Sequence, residues 1–254
     1  MILATRAQDE VSPDRREFGL KRFIAKLLRY DPLIETAPVR EAIEAARTSG
    51  RPFCPPYEGD LIYALVRAAG ARRCLEMGFH TGSTALYMDA GLAQDDGQVT
   101  SVGLDSEEDM LRGRKLLRDA GAESRHRLLR ENSNRVVPEL FLAGEKFDFV
   151  FMDGWKTFDH LAFEIYFINR MLEKGGFILF DDSYMPSVRQ AIRLLKRYYG
   201  YAEIDYGRYG QTRRLGLYLA LAHRTPHRPY RALAKTVDTA DQTPTKDWNF
   251  YRPL

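Results

Sequence analysis

Arg73-Cys74-Leu75-Glu76-Met77-Gly78-Phe79-His80-Thr81-Gly82-Ser83 reads as a short strand, a glycine turn and the first residue of a helix. Glycines at such a turn let the backbone reverse tightly and approach a ligand. Two phosphate-binding patterns fail here. The dinucleotide pattern G-x-G-x-x-G needs glycine where His80 stands. The phosphate loop G-x-x-x-x-G-K-[ST] fails because Gly82 comes four residues after Gly78 and is followed by Ser83. What remains is E-x-G-x-x-x-G. A carboxylate just before the turn, Glu76, suits a cationic ligand, whereas a pyrophosphate site would avoid that charge. An NAD-dependent oxidoreductase is disfavoured on this ground.

Outward from this turn, strand-length apolar runs alternate with helical patterns. Strands are predicted at Arg73–Met77, Val99–Leu104, His126–Leu129, Phe147–Met152 and Phe177–Phe180. Helices are predicted at Ser83–Ala90, Glu107–Ala120, Asn134–Leu140, Asp159–Met171 and Pro186–Tyr199. Such alternation predicts an α/β fold with a doubly wound, mostly parallel sheet covered on both faces. Leu215–Leu221 reads as a last strand paired with Tyr201–Tyr206. No long helix separates the two, so they form an antiparallel edge. Upstream, Phe18–Arg29, Val39–Arg47 and Glu58–Ala69 carry helical periodicity, with the proline-rich Gly50–Gly59 as a connector. The domains read as an N-terminal helical cap over 1–57, the α/β domain over 58–222 and an extended tail over 223–254. Trp248, Phe250 and Tyr251 are too apolar for a free terminus and are expected to pack on the core or on a second copy of the chain, which leaves a homo-oligomer open.

The chain has 254 residues, 44% hydrophobic and 29% charged, an ordinary globular mixture able to bury a core. Its 38 Lys and Arg against 35 Asp and Glu leave +3, too near balance to point to nucleic acid. Two cysteines, Cys54 and Cys74, exclude a disulfide framework. No apolar run has the length of a membrane span and the N-terminus turns polar too early for a secretory signal, so the expected location is the cytoplasm.

The run Glu76-Met77-Gly78-Phe79-His80-Thr81-Gly82-Ser83 resembles motif I of class I S-adenosylmethionine (SAM)-dependent methyltransferases, and with it the fold becomes a Rossmann-like sheet of seven strands. The resemblance implies that this loop lines the cofactor and that Asp105, 23 residues after Gly82, holds the ribose hydroxyls. A carboxylate accepting two O–H donors is a good physical match. Asn132 and Ser133 stand where the family contacts adenine, with Glu131-Asn132-Ser133 in place of the more familiar Gly-Asp-Ser/Ala.

Asp153 follows the strand Phe147–Met152, and Asp181-Asp182 follows Phe177–Phe180, at the strand ends where open α/β sheets place their sites. Three converging carboxylates repel one another, and a hard divalent cation such as Mg²⁺ relieves that. These acids resemble the metal acids of the metal-dependent O-methyltransferases, including catechol O-methyltransferase and bacterial sugar O-methyltransferases. Asp153-Gly154-Trp155-Lys156 matches an Asp-x-Trp-Lys order whose lysine is a general base. Asp153 borders the cofactor as well. The resemblance implies SAM and a divalent cation as cofactors, a small-molecule hydroxyl as acceptor, and Lys156 or His160 as base. His160 lies four residues beyond Lys156, so one helical face could carry both. Two rivals stay open: a metal-independent N- or C-methyltransferase, and a non-catalytic SAM-binding domain.

Overall fold

Parallel strands buried on both faces are rich in apolar residues. Phe147–Met152 and Phe177–Phe180, FDFVFM and FILF, show this, while Glu76, Thr100 and Ser101 are buried polar exceptions on neighbouring strands. A computed structural model describes residues 37–48, 53–93, 96–204 and 230–239. Its strands are β1 (Arg73–Met77), β2 (Gln98–Val102), β3 (His126–Leu129), β4 (Phe147–Met152), β5 (Leu172–Phe180), β6 (Tyr201–Glu203) and β7 (Arg231–Lys235). They form one seven-stranded sheet in the order β3-β2-β1-β4-β5-β7-β6. The first five strands pair in parallel. The mixed pairing lies at the β6 end, where β7 runs antiparallel to both β5 and β6. The chain reverses its winding between β1 and β4, so a crevice opens at their carboxyl ends.

Alternate side chains of one strand enter two cores. Phe149 and Phe151 of β4 pack with α1 (Ala37–Thr48), α2 (Pro56–Ala69), α3 (Ser83–Gly91) and α4 (Glu107–Asp119). Val150 and Met152 face α5 (Ser133–Leu142), α6 (Phe158–Met171) and α7 (Pro186–Tyr198). Val39, Ala42 and Ile43 of α1 join the same core as Leu61 and Leu65 of α2, so this helix is packed onto the α/β domain. Among the described residues no helix is long and apolar enough to cross a membrane.

Three sequence expectations change. Helix α2 begins at Pro56, inside the expected connector, because Pro55 is extended and a proline suits the first helical turn. Strand β5 begins at Leu172 rather than Phe177. The expected extended tail is corrected at Arg231–Lys235, which is a strand inserted between β5 and β6. The sequence RALAK has no β-branched or aromatic residue, so propensity alone gave no strand signal. The expected helix at 18–29, the strand at 215–221 and the aromatic tail residues lie outside the described residues.

Lys235 fixes the end of β7. It is buried, and its Nζ donates to Asn169 O at 2.6 Å, Leu172 O at 2.7 Å and Thr239 Oγ1 at 2.6 Å. The two carbonyls close the C-terminal end of α6, where a cation is favoured. Lys235→Met leaves both carbonyls without this donor. It is expected to lower unfolding stability by about 2–3 kcal/mol, as a lower denaturant midpoint with an unchanged slope.

Candidate active site

The glycine loop is shaped from both sides. Gly78 has φ 99°, and a Cβ there would lie 2.8 Å from Asp153 O, so only glycine fits where β1 ends against β4. Gly82, at φ 73°, opens α3. Between them His80 takes the left-handed region at φ 46°. Its N–H donates to Asp105 Oδ2 at 2.8 Å, which ties the loop to the end of β2. Asp105 precedes Ser106, whose hydroxyl caps α4 by accepting from Asp109 N. One lone pair of the Asp105 carboxylate is thus used on the loop.

Not every loop residue faces a ligand. The Phe79 side chain is buried, stacks on His126 with ring centroids 5.1 Å apart, and presses on Gly82 and Gly113. It anchors the loop in the core, so only its backbone can meet a cofactor. Ser83 is buried and accepts from Cys54 N at 3.0 Å, which pins the entry of α2 to the start of α3. Thr81 is half-buried and His80 exposed. Glu76 is fully buried. Its Oε2 accepts from Ser101 Oγ at 2.5 Å, while Oε1 has no hydrogen-bond partner among the described residues. Burial pushes this carboxyl well up; the Ser101 hydroxyl opposes, and Asp153 and Asp105 add to the rise.

Beyond β3, Asn132 caps α5, its Oδ1 accepting from Asn134 N at 2.8 Å. Ser133 Oγ lies 2.9 Å from His160 Nε2, and that same nitrogen lies 2.8 Å from Glu164 Oε1. The Glu164 bond raises the His160 pKa, and burial opposes it. The expected shared helical face of Lys156 and His160 is corrected: Lys156 precedes α6, which begins at Phe158. His160 is committed to Ser133 and Glu164, whereas Lys156 turns toward the acids.

At the ends of β4 and β5, Asp153, Asp181 and Asp182 each bring a carboxylate oxygen to within 4.8 Å of the others. The placement follows from strand pairing, with Asp153 N bonded to Met77 O and Asp181 N to Met152 O. Asp182 sits in the left-handed region at φ 51°, which a short acidic side chain tolerates. Lys156 Nζ donates to Asp153 Oδ1 at 2.8 Å and to Met152 O at 3.3 Å, and lies 3.9 Å from Asp182 Oδ2. Withdrawal from water pushes Asp181 well up, followed by the charges of Glu58, Asp153 and Asp182; Lys156 opposes them. Glu58, in the first turn of α2, is a fourth acid beside this cluster that the sequence reading passed over. It is buried, accepts from Tyr230 Oη at 3.1 Å, and is raised to about 8, first by burial and then by Asp153. Trp155 is 69% exposed at the rim, so it does not pack into the core.

The profile of the O-methyltransferase family matches residues 35–188, more than half of the chain. The chain belongs to that family. It is accordingly a SAM-dependent methyltransferase. A protein of Mycobacterium sp. (strain JLS) whose name places it among O-methyltransferases is 27% identical over 175 residues, covering 63% of this chain and 77% of its own. Tricin synthase 2 of Oryza sativa subsp. japonica is 30% identical over 146 residues, covering 56% of this chain and 48% of its own. Among solved structures, the O-methyltransferase TomG of Streptomyces achromogenes, in complex with SAM, superposes with a TM-score of 0.59 at 16% identity. It covers 89% of this chain and all of that one. At that identity the likeness speaks for the fold of this O-methyltransferase, which is the Rossmann-like one expected.

Proposed function

We propose that this O-methyltransferase moves the methyl group of SAM to a hydroxyl of a small molecule beside a divalent cation, Mg²⁺ by its ligands. The observation that carries the reading is the meeting of Asp153, Asp181, Asp182 and Lys156 at the two strand ends next to the glycine loop.

The residues fit both groups. For SAM, a buried carboxylate oxygen of Glu76 awaits a donor, Gly78 and Gly82 place no side chain at the two turns of the loop, and Asp105 retains lone pairs for ribose hydroxyls. Asn132 and Ser133 border the adenine side, with His160 supporting Ser133. For the cation, three carboxylates offer hard oxygens, and the raised Asp181 marks a negative charge in need of a counter-ion. When bound, SAM supplies an electrophilic methyl and the cation acidifies a hydroxyl placed against it. The protein's own part is to orient and to move one proton. Asp153, Asp181 and Asp182 fix where the hydroxyl stands, and Lys156, acting as the neutral amine, takes its proton on Nζ to become the ammonium. Trp155 walls the open side. An acceptor with vicinal hydroxyls suits such a site.

Calorimetry with SAM, followed by turnover on a panel of vicinal diols with Mg²⁺ or EDTA, tests the reading. Absence of SAM binding overturns it. A metal-free mechanism has one observation in its favour, Lys156 Nζ 2.8 Å from Asp153 Oδ1, where the lysine can stand in for a cation. Full activity in EDTA would establish that alternative. For the ribose contact, Asp105→Ala is expected to weaken SAM binding about tenfold to a hundredfold, as two hydroxyl donors lose their acceptor. Unchanged affinity removes Asp105 from the ribose.

A further inference from the structure

Behind Glu76 lies a chain of contacts that the transfer reaction itself does not use. Ser101 is fully buried on β2, in register with Glu76 on β1. Its Oγ donates to Glu76 Oε2 at 2.5 Å and lies 2.8 Å from His126 Nε2. A serine hydroxyl has one proton. Given to Glu76, it leaves Oγ as an acceptor, so His126 must present Nε2–H toward it. Burial holds the His126 pKa down at about 4, with Arg114 adding to the effect, so the ring is neutral and carries one proton only. With that proton on Nε2, the chain runs from His126 through Ser101 to the Glu76 carboxylate. The same imidazole stacks on Phe79 of the glycine loop.

We propose that Ser101 and His126 are positioning residues that hold the Glu76 carboxylate with Oε1 turned to receive the α-ammonium of the cofactor's amino-acid moiety. The inference rests on the proposed SAM site. The ammonium is the right partner because Oε1 lacks a hydrogen-bond donor among the described residues, and a sulfonium has no N–H to give. A buried carboxylate with one hydrogen bond is poorly compensated, and a cationic donor completes it. Without Ser101 the carboxylate is free to rotate about its last torsion, which is broad for glutamate. With His126 Nε2–H donating to Ser101 Oγ, the ring does not compete with Glu76 for the Ser101 proton. One residue, His126, thus supports the loop through Phe79 and the carboxylate through Ser101.

The test compares two ligands on the full chain by calorimetry: S-adenosylhomocysteine, which carries the α-ammonium, and its analogue lacking the α-amino group. In the wild type the first binds more than about tenfold tighter, as expected for a charge-assisted hydrogen bond. Ser101→Ala and His126→Phe are expected to reduce that ratio at least about threefold, a part of the same bond's worth. His126→Phe keeps a ring against Phe79 but loses the donor. His126→Gln supplies an amide N–H and is expected to return the ratio to near the wild-type value. A merely structural role would weaken both ligands together and leave the ratio unchanged, and that result overturns the proposal. A wild type that binds neither SAM nor S-adenosylhomocysteine overturns the cofactor reading itself, which is a distinguishable failure.

Discussion

Asp181→Asn is expected to abolish the divalent-ion dependence of methyl transfer and to slow turnover by about a hundredfold to a thousandfold, equivalent to several kcal/mol of lost electrostatic stabilisation. SAM affinity is expected to stay near the wild-type value. Asp181 is the choice because it stands at the end of β5, with β4 between it and the strand that leads into the glycine loop, and because withdrawal from water and three neighbouring acids all push its carboxyl up. Asparagine keeps the shape and removes the charge. The variant then lacks the conflict that a cation would resolve, so Mg²⁺ added to it changes little. Mn²⁺ binding followed by paramagnetic resonance gives a readout apart from activity. Retained EDTA sensitivity and retained Mn²⁺ affinity in Asp181→Asn would take Asp181 out of the cation site.

Lys156→Met is expected to have an effect of comparable or larger size. Loss of a positioned base costs about a hundredfold to ten-thousandfold in rate. The loss is expected below the pKa of the acceptor hydroxyl, where a proton has to be removed, and to shrink as pH rises and solvent deprotonates the acceptor. Methionine keeps the length of the side chain while deleting the hydrogen bond to Asp153. His160→Gln, by contrast, is expected to leave the pH profile in place, because His160 Nε2 is engaged by Ser133 and Glu164. A wild-type pH profile in Lys156→Met would end its role as base.

The central strands were legible because each is a short stretch dominated by apolar residues, with charge or glycine close to its ends. β1, β3 and β4 begin and end where the sequence reading put them. The acids were legible for a related reason: a carboxylate directly after such a run stands at the sheet's functional end. What the sequence hid is mostly non-local. β7 has a weak strand composition and is held by two neighbours and the Lys235 anchor. Glu58 looks like an ordinary acid in a first helical turn, and its place beside Asp153 arises only from packing of α2 across the sheet. Phe79 sits inside the motif yet points into the core, which no spacing rule distinguishes from a residue that lines a ligand. Four-residue spacing put His160 and Lys156 on one face only so long as both were helical, and the helix starts between them.

The insertion of β7 between β5 and β6 bears on biosynthesis. A growing chain on the ribosome can assemble β1 to β5 while the outer edge of β5 is still bare, since its partner strand begins only at Arg231. That edge carries Phe177, Ile178, Leu179 and Phe180, an apolar strand able to pair with another nascent chain. The same late segment brings Tyr230 to Glu58, beside the acid cluster. Completion of this end of the sheet therefore waits until the segment around Tyr230 and Arg231 has been made. A stop codon shortly before Arg231 would yield an aggregation-prone intermediate rather than a shortened enzyme.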